Sequence, residues 1–309
     1  MNWRDGLEGV SLEIAECKEK NIRINAGPGT GKTYCLMRRI ARLLSEGVNP
    51  QQILVITFTR VAANDIKKKL IELKILNSQY ILSGTLHSVC LQIMIERNIF
   101  EVIQRNPRFL LDFEKRFLLE DLSICEDKFK ENYRKRMKRL RVFEAAWATE
   151  QNQTPGWPTN EIDKDFLNRL ETWQNFHQSM IISELIPLLL QYLRDNPQSE
   201  IFDFFDYILV DEFQDLNKSE QELVYLLSRD SSLVVAGDED QSIYETMKFA
   251  HPQGIMDVNK YKENLYDINL LLSRRCSPNL LFIANNLISK NMDRRNKEII
   301  PNENIKECS

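Results

Sequence analysis

Three groups of residues in this 309-residue chain have the types and spacing that phosphate chemistry needs. The first is Ala26-Gly27-Pro28-Gly29-Thr30-Gly31-Lys32-Thr33. Its glycines let successive backbone N–H groups turn inward around an anion, its lysine can reach the outer phosphates of a nucleotide, and its Thr33 hydroxyl can hold Mg²⁺. The strict pattern opens with glycine; here Ala26 stands first, with Gly27 next, and a methyl group is small enough for the loop to close. The second group is the acidic pair Asp211-Glu212. Asp211 can hold Mg²⁺ directly or through water, while Glu212 can orient and deprotonate an attacking water. The third is Gln241, which can sense a γ-phosphate by hydrogen bond. Each has an ordinary alternative: a glycine-rich turn, a solvated strand end, a loop glutamine.

What separates these readings is the elements that position the residues. An apolar run with Ile22 and Ile24 precedes the glycine loop, and residues 34–41 after it have helical spacing, so the context is strand, loop, helix. That helix stops at Glu46-Gly47-Val48-Asn49-Pro50. Residues 53–58 form a continuous apolar run, as a doubly covered parallel strand would, followed by an amphipathic helix from Arg60 to Leu73. A third strand is expected over Tyr80–Gly84, leading into a helix around His87–Ile95, and an apolar helix over Met180–Leu193. Tyr207–Val210 and Leu233–Gly237 read as buried strands. Strands alternating with helices predict a mainly parallel α/β sheet, whose ligands collect at the carboxyl ends of the strands. The glycine loop, Thr57–Thr59, Asp211-Glu212 and Asp238–Gln241 all follow strands, so all can converge on one edge.

Composition narrows the class. Apolar residues make up 43% of the chain, enough for a real core, and the net charge of −4 means that any nucleic-acid site must be local. The six cysteines are scattered without a CxxC pair, which reads as reduced thiols in a cytoplasmic protein. No run is apolar and long enough to predict a membrane span. From about Phe100 to Gln178 the strand signals vanish and charge density rises. Lys128, Lys130, Arg134, Lys135, Arg136, Lys138, Arg139 and Arg141 lie close together there, either as a solvated helix face or as a nucleic-acid face.

Taken in order, the motifs resemble those of superfamily 1 helicases of the UvrD/Rep/PcrA type, ATP-driven translocases on single-stranded DNA. Residues 26–33 look like motif I, Ile-Thr-Phe-Thr-Arg-Val-Ala-Ala (56–63) like Ia, and Gly-Thr-Leu-His-Ser-Val-Cys (84–90) like Ib. Val-Asp-Glu-Phe-Gln-Asp-Leu-Asn (210–217) is similar to motif II, Gly-Asp-Glu-Asp-Gln-Ser-Ile-Tyr (237–244) to motif III and Leu-Ser-Arg-Arg-Cys-Ser-Pro-Asn-Leu (272–280) to motif IV. The resemblance implies an α/β, RecA-like P-loop NTPase with a parallel sheet. Residues 1–96 and 179–268 would form the core, 97–178 a helical insertion, and 269–309 only the start of a second RecA-like domain. It implies ATP and Mg²⁺ as cofactors. Residues 26–33 would hold phosphate, Thr33 and Asp211 the metal; Glu212 would be the base, and Gln241 and Arg275 would act at the γ-phosphate. It also implies single-stranded DNA on Phe58, Thr59, Arg60 and His87, and places the basic segment, with Arg134, Lys135 and Lys138, along the DNA path.

Four departures qualify these implications. The chain stops at Ser309, soon after motif IV, so the family's motifs V and VI are not in it, and slow ATP hydrolysis by this chain alone is expected. The family's adenine-reading glutamine has Ser11 in its place. Motif III continues as Glu245-Thr246-Met247-Lys248-Phe249, where only Phe249, displaced, could stack on a base. The family's motif IV tyrosine is Arg274, while the residue after Thr33 is Tyr34, so the two partners that sandwich the adenine are exchanged. Two readings follow. One is a helicase-type motor subunit, truncated or completed by another chain. The other is a nucleotide-gated DNA-binding scaffold that recruits a partner such as a nuclease, with little turnover.

Overall fold

The first strand sets the architecture. In β1 (Asn21–Ala26) Ile22, Ile24 and Ala26 alternate with Asn21, Arg23 and Asn25, and all six residues are buried. The apolar set packs into the core with Ile14, Leu36, Ile40, Val55, Ile66, Leu209, Val234 and Ile268. The polar set keeps partners in its burial: Arg23 is bidentate to Asp267, Asn21 donates to the Glu263 carbonyl at 2.9 Å, and Asn25 donates to the Asn269 side chain at 3.1 Å. Burial of each large aliphatic side chain contributes about 1.5–3 kcal/mol.

The structure is a computed structural model, and it describes residues 3–73, 75, 77–122, 132–291, 294–295 and 297–302. The remaining strands are β2 (Ile53–Ile56), β3 (Leu82–Gly84), β4 (Tyr207–Val210), β5 (Ser232–Gly237), β6 (Leu265–Leu270), β7 (Leu272–Ser273) and β8 (Ile300–Pro301). Six of them form one parallel sheet in the order β3-β2-β4-β5-β1-β6, while β7 and β8 pair in parallel as a separate ribbon. Helices of eight residues or more are α1 (Gly9–Glu16), α2 (Lys32–Ser45), α3 (Arg60–Glu72), α4 (Leu86–Glu96), α5 (Asp112–Asp121), α6 (Tyr133–Ala148), α7 (Glu161–Phe176), α8 (Leu185–Asp195), α9 (Lys218–Leu227) and α10 (Pro278–Ile288).

The chain divides into two compact units, described separately. Unit 1 (Met1–Leu86, Gln198–Asn217, Val224–Ser309) contains both sheets. Unit 2 (His87–Pro197, Lys218–Leu223) is helical. Its core gathers Leu118, Leu119, Leu140, Phe143, Trp147, Phe166 and Leu170, with Phe143 and Phe166 stacked at a centroid distance of 5.5 Å. A buried polar knot supports that core. Glu184 accepts from Arg105 at 2.8 Å, from Gln174 at 2.6 Å and from the Ile181 N–H at 2.7 Å, so no oxygen is left unpaired.

Three elements differ from expectation for local reasons. The third strand is shorter, because Ser78–Tyr80 forms a 3-10 turn before it. The apolar helix begins at Leu185, not Met180; Pro187 then falls in its first turn, where the missing N–H is not needed. Strand β6 has no counterpart in the expectation, since Asp267 and Asn269 interrupt its apolar pattern, yet Asp267 pairs with Arg23 and Asn269 accepts from Asn25 of β1.

Candidate nucleotide site and nucleic-acid surfaces

Because the sheet of unit 1 is parallel, its strands deliver their following residues to one edge. β1 delivers the glycine loop, β2 Thr57–Thr59, β4 Asp211-Glu212, β5 Asp238–Gln241, and β6 the segment with Arg274 and Arg275. Gly29 (φ +69°) and Gly31 (φ +96°) take the left-handed backbone that the loop needs. Thr30 Oγ1 ties the loop by donating to the Gly27 carbonyl at 2.9 Å. Space is equally restrictive: a Cβ on Gly29 would stand 2.5 Å from Arg275 Cβ, and one on Gly27 would stand 2.0 Å from Ile299 Cδ1. The Ser273 hydroxyl donates to the Pro28 carbonyl at 3.1 Å, and the Arg274 N–H to the Gly29 carbonyl at 2.8 Å.

At the start of α2, Thr33 Oγ1 donates to Asp211 Oδ2 at 2.6 Å, and the Glu212 N–H donates to Asp211 Oδ1 at 3.1 Å. Asp211 is 3% exposed, and burial first, then the Glu212 charge, pushes its carboxyl up to about 6, against the Thr33 hydrogen bond and Lys32. Lys32 is buried, with Nζ 3.4 Å from the Ala26 carbonyl and 3.6 Å from Glu212 Oε2. Glu212 holds a left-handed backbone (φ +53°), uncommon for a side chain of this type. The Thr33 hydroxyl and the buried Asp211 carboxylate, both oxygen donors, suit a hard cation such as Mg²⁺.

Gln214 links this pair to the next strand. Its Nε2 donates to Glu212 Oε2 at 2.9 Å, and its Oε1 accepts from the Asp238 N–H at 3.0 Å. Gly237 allows this, since a Cβ there would lie 2.3 Å from Gln214 Oε1. Gln241 Nε2 donates to Asp238 Oδ2. Asp215, with Oδ1 buried and without a hydrogen-bond partner, is also pushed up to about 6, by burial and then by Glu212. Sequence reasoning gave Gln214 no role; its place two residues after Glu212 was the available signal.

Tyr34 is half-buried on α2, with the Arg38 guanidinium 5.1 Å from its ring centroid. Arg274 and Arg275 are exposed, and the Arg274 charge reaches buried Cys35. Ser11 is buried, and its hydroxyl donates to the Glu8 carbonyl at 2.6 Å inside the first turn of α1.

The residues expected to meet DNA are divided between the two units. In unit 1, Thr59 caps α3 by accepting from the Ala62 N–H at 3.2 Å, and Arg60 is exposed beside it. The Phe58 ring packs on Tyr244 at 4.9 Å, and Lys248 Nζ stands 4.0 Å from the Phe58 centroid. Phe249 is half-buried with φ +58°, so the aromatic partner of Phe58 is Tyr244. In unit 2, His87 Nδ1 lies 3.3 Å from Glu220 Oε1. On α6, Arg134, Lys138 and Arg141 form an exposed i, i+4, i+7 stripe, with Lys135 exposed next to it. Arg136 is buried, and Arg139 pairs with Asp163. These two serve the helical core. Lys128 and Lys130 lie outside the described residues. The described cysteines, Cys17, Cys35, Cys90 and Cys276, are free thiols. No helix among the described residues is long and apolar enough to cross a membrane.

The chain is 28% identical to a probable DNA helicase II homolog of Mycoplasma capricolum, aligning over 100% of its own length and 45% of that relative. It is 31% identical to the ATP-dependent DNA helicase Rep of Buchnera aphidicola (89% of this chain, 44% of the relative) and 30% identical to the ATP-dependent DNA helicase PcrA of Staphylococcus aureus (92% and 40%). It thus spans less than half the length of these relatives. Residues 8–263 match the family model of the UvrD/REP helicase N-terminal domain, and the chain belongs to that family.

Proposed function

We propose that this chain is the nucleotide-binding motor portion of an ATP-driven helicase that moves on single-stranded DNA. The observation that carries the reading is the Thr33–Asp211 contact, with Lys32 and Glu212 beside it at the edge where five strands end. Residues 26–33 hold the phosphates of ATP, with Lys32 supplying the charge. Thr33 and Asp211 hold Mg²⁺, which when bound neutralises charge on the phosphates. Glu212 accepts the proton of the attacking water. Gln241 and Arg275 face the terminal phosphate, and Tyr34 and Arg274 stack on the base. Phe58 and Tyr244 offer rings to DNA bases, with Thr59, Arg60 and Phe249 alongside. His87, Arg134, Lys135 and Lys138 contribute contacts from the helical unit, the three cations meeting backbone phosphates.

The test is Mg²⁺-dependent ATP hydrolysis by the purified chain, with and without an oligo-dT strand, in wild type and Glu212→Gln. The motor reading expects turnover that vanishes in Glu212→Gln while ATP binding persists. Nucleotide-gated DNA affinity with no turnover would instead favour the scaffold reading. Turnover untouched by Glu212→Gln would overturn the assignment.

A further inference from the structure

After β5 the chain places Asp238, Glu239 and Asp240 so that oxygens of all three carboxylates lie within 4.8 Å of one another. Such a set would repel itself unless a cation joined it. Lys297 is that cation: its Nζ donates to Asp238 Oδ1 and to Glu239 Oε2 at 2.7 Å, lies 3.5 Å from Asp240 Oδ2, and its side chain is 3% exposed. The ammonium stands where a metal ion would have to stand. Arg294 adds a pair to Asp240 at 3.1 Å, and the Arg295 N–H donates to Glu239 Oε1 at 3.0 Å. Arg294, Arg295 and Lys297 are thereby fastened to the residues that follow β5.

Asp238 is the shared member. One oxygen takes Lys297; the other accepts from Gln241 Nε2. Its N–H donates to Gln214, which bonds Glu212, which faces Lys32. An unbroken polar chain therefore runs from Lys297 to the lysine of the phosphate loop, and Gln241 hangs from the carboxylate that Lys297 holds. We propose that Lys297 is a positioning residue for Gln241: by anchoring the Asp238 carboxylate, it sets the ability of the site to tell a nucleoside triphosphate from a diphosphate. This rests on the reading of Gln241 as a contact to the terminal phosphate. A primary ammonium suits the task, because its three donors can spread over three carboxylates. Without it, Asp238 Oδ1 keeps only the Asp240 N–H, at 3.1 Å, and the excess buried charge drives the carboxylates apart.

The experiment titrates the full chain with Mg-ADP and with the Mg complex of a β,γ-imido ATP analogue. Wild type is expected to prefer the triphosphate, and Gln241→Ala to lose about tenfold of that preference, the size of one charge-assisted hydrogen bond. Lys297→Met should lose the same factor with ADP affinity unchanged, and the double variant should lose no more than either single one. Lys297→Arg should recover part of the preference. Arg295→Ala, whose side chain pairs with Asp267 outside the cluster, should keep it. Should Lys297→Met fold poorly, Lys297→Met with Glu239→Gln and Asp240→Asn removes the excess charge, and it should still lack the preference. Retention of the preference in that variant or in Lys297→Met, while Gln241→Ala loses it, overturns the proposal and leaves the nucleotide assignment standing. Retention in Gln241→Ala overturns the reading of Gln241 itself. Equal loss of ADP and triphosphate affinity in the Lys297 variants would show a merely structural role and overturn the proposal.

Discussion

Asp211→Asn is expected to stabilise this protein while removing the carboxylate proposed to hold Mg²⁺. The Asp211 carboxyl is 3% exposed and titrates at about 6, against an ordinary value of 3.8. A raised carboxyl means that the native state binds the proton more tightly than the unfolded chain. Its contribution to stability is therefore present below pH 3.8 and is lost as pH rises through about 6. At pH 8 the loss is complete, on the order of 3 kcal/mol; at pH 5 it is partial, and at pH 4 little of it remains. Asparagine carries no charge to desolvate. It can still accept from the Glu212 N–H and donate to Thr33 Oγ1, so both hydrogen bonds around the position survive the change. Thermal melts without Mg²⁺ or nucleotide should show the variant ahead by roughly 5 °C at pH 8. The gap should nearly close at pH 4. An equal or lower melting temperature at pH 8, or a gap that ignores pH, would refute the view that Asp211 is a buried charge held for a cation.

Further outcomes follow from the same geometry. Because the Ser11 hydroxyl is spent on Glu8, no edge reader is expected for the base, so ATP should be preferred over GTP by less than about a hundredfold (~2.7 kcal/mol). Tyr34→Ala and Arg274→Ala should each weaken both nucleotides by similar factors in equilibrium titrations; a larger preference in wild type would reveal a reader elsewhere. Replacing Arg134, Lys135 and Lys138 with Gln should lower the salt slope of single-stranded DNA binding by about 2, at ~0.7 per phosphate contact, and an unchanged slope would make that stripe a solvated face. Gly237→Ala drives a Cβ to 2.3 Å from Gln214 Oε1 and 2.6 Å from Ile255 Cδ1. It should destabilise the fold by about 1–3 kcal/mol in urea melts; a neutral result would mean that Gln214 relaxes freely.

The glycine loop, the acidic pair and the strand-end convergence were legible because each is local: a glycine pattern, a dipeptide after an apolar run, a strand that stops. β4 spans Tyr207–Val210 as its apolar run predicts, and α3 spans Arg60–Glu72, one residue short of the expected end. β6 was not legible, because Asp267 and Asn269 make sense only opposite Arg23 and Asn25, more than two hundred residues earlier. The same limit hid Lys297. In sequence it is one more charge near the end of the chain; in space it completes a cluster 59 residues upstream. Charge runs read least well. Arg136 and Arg139 look like their neighbours in the sequence, and only the helix phase of α6 turns them inward.

Equilibrium binding of Mg-ATP to wild type and Lys32→Ala decides whether residues 26–33 with Asp211 form a Mg-nucleotide site. Loss of the buried ammonium removes a charge-assisted phosphate contact of ~1.5–3 kcal/mol, so the variant should bind roughly ten- to a hundredfold more weakly. Equal affinity in the two proteins would mean that the loop does not hold the nucleotide's phosphates.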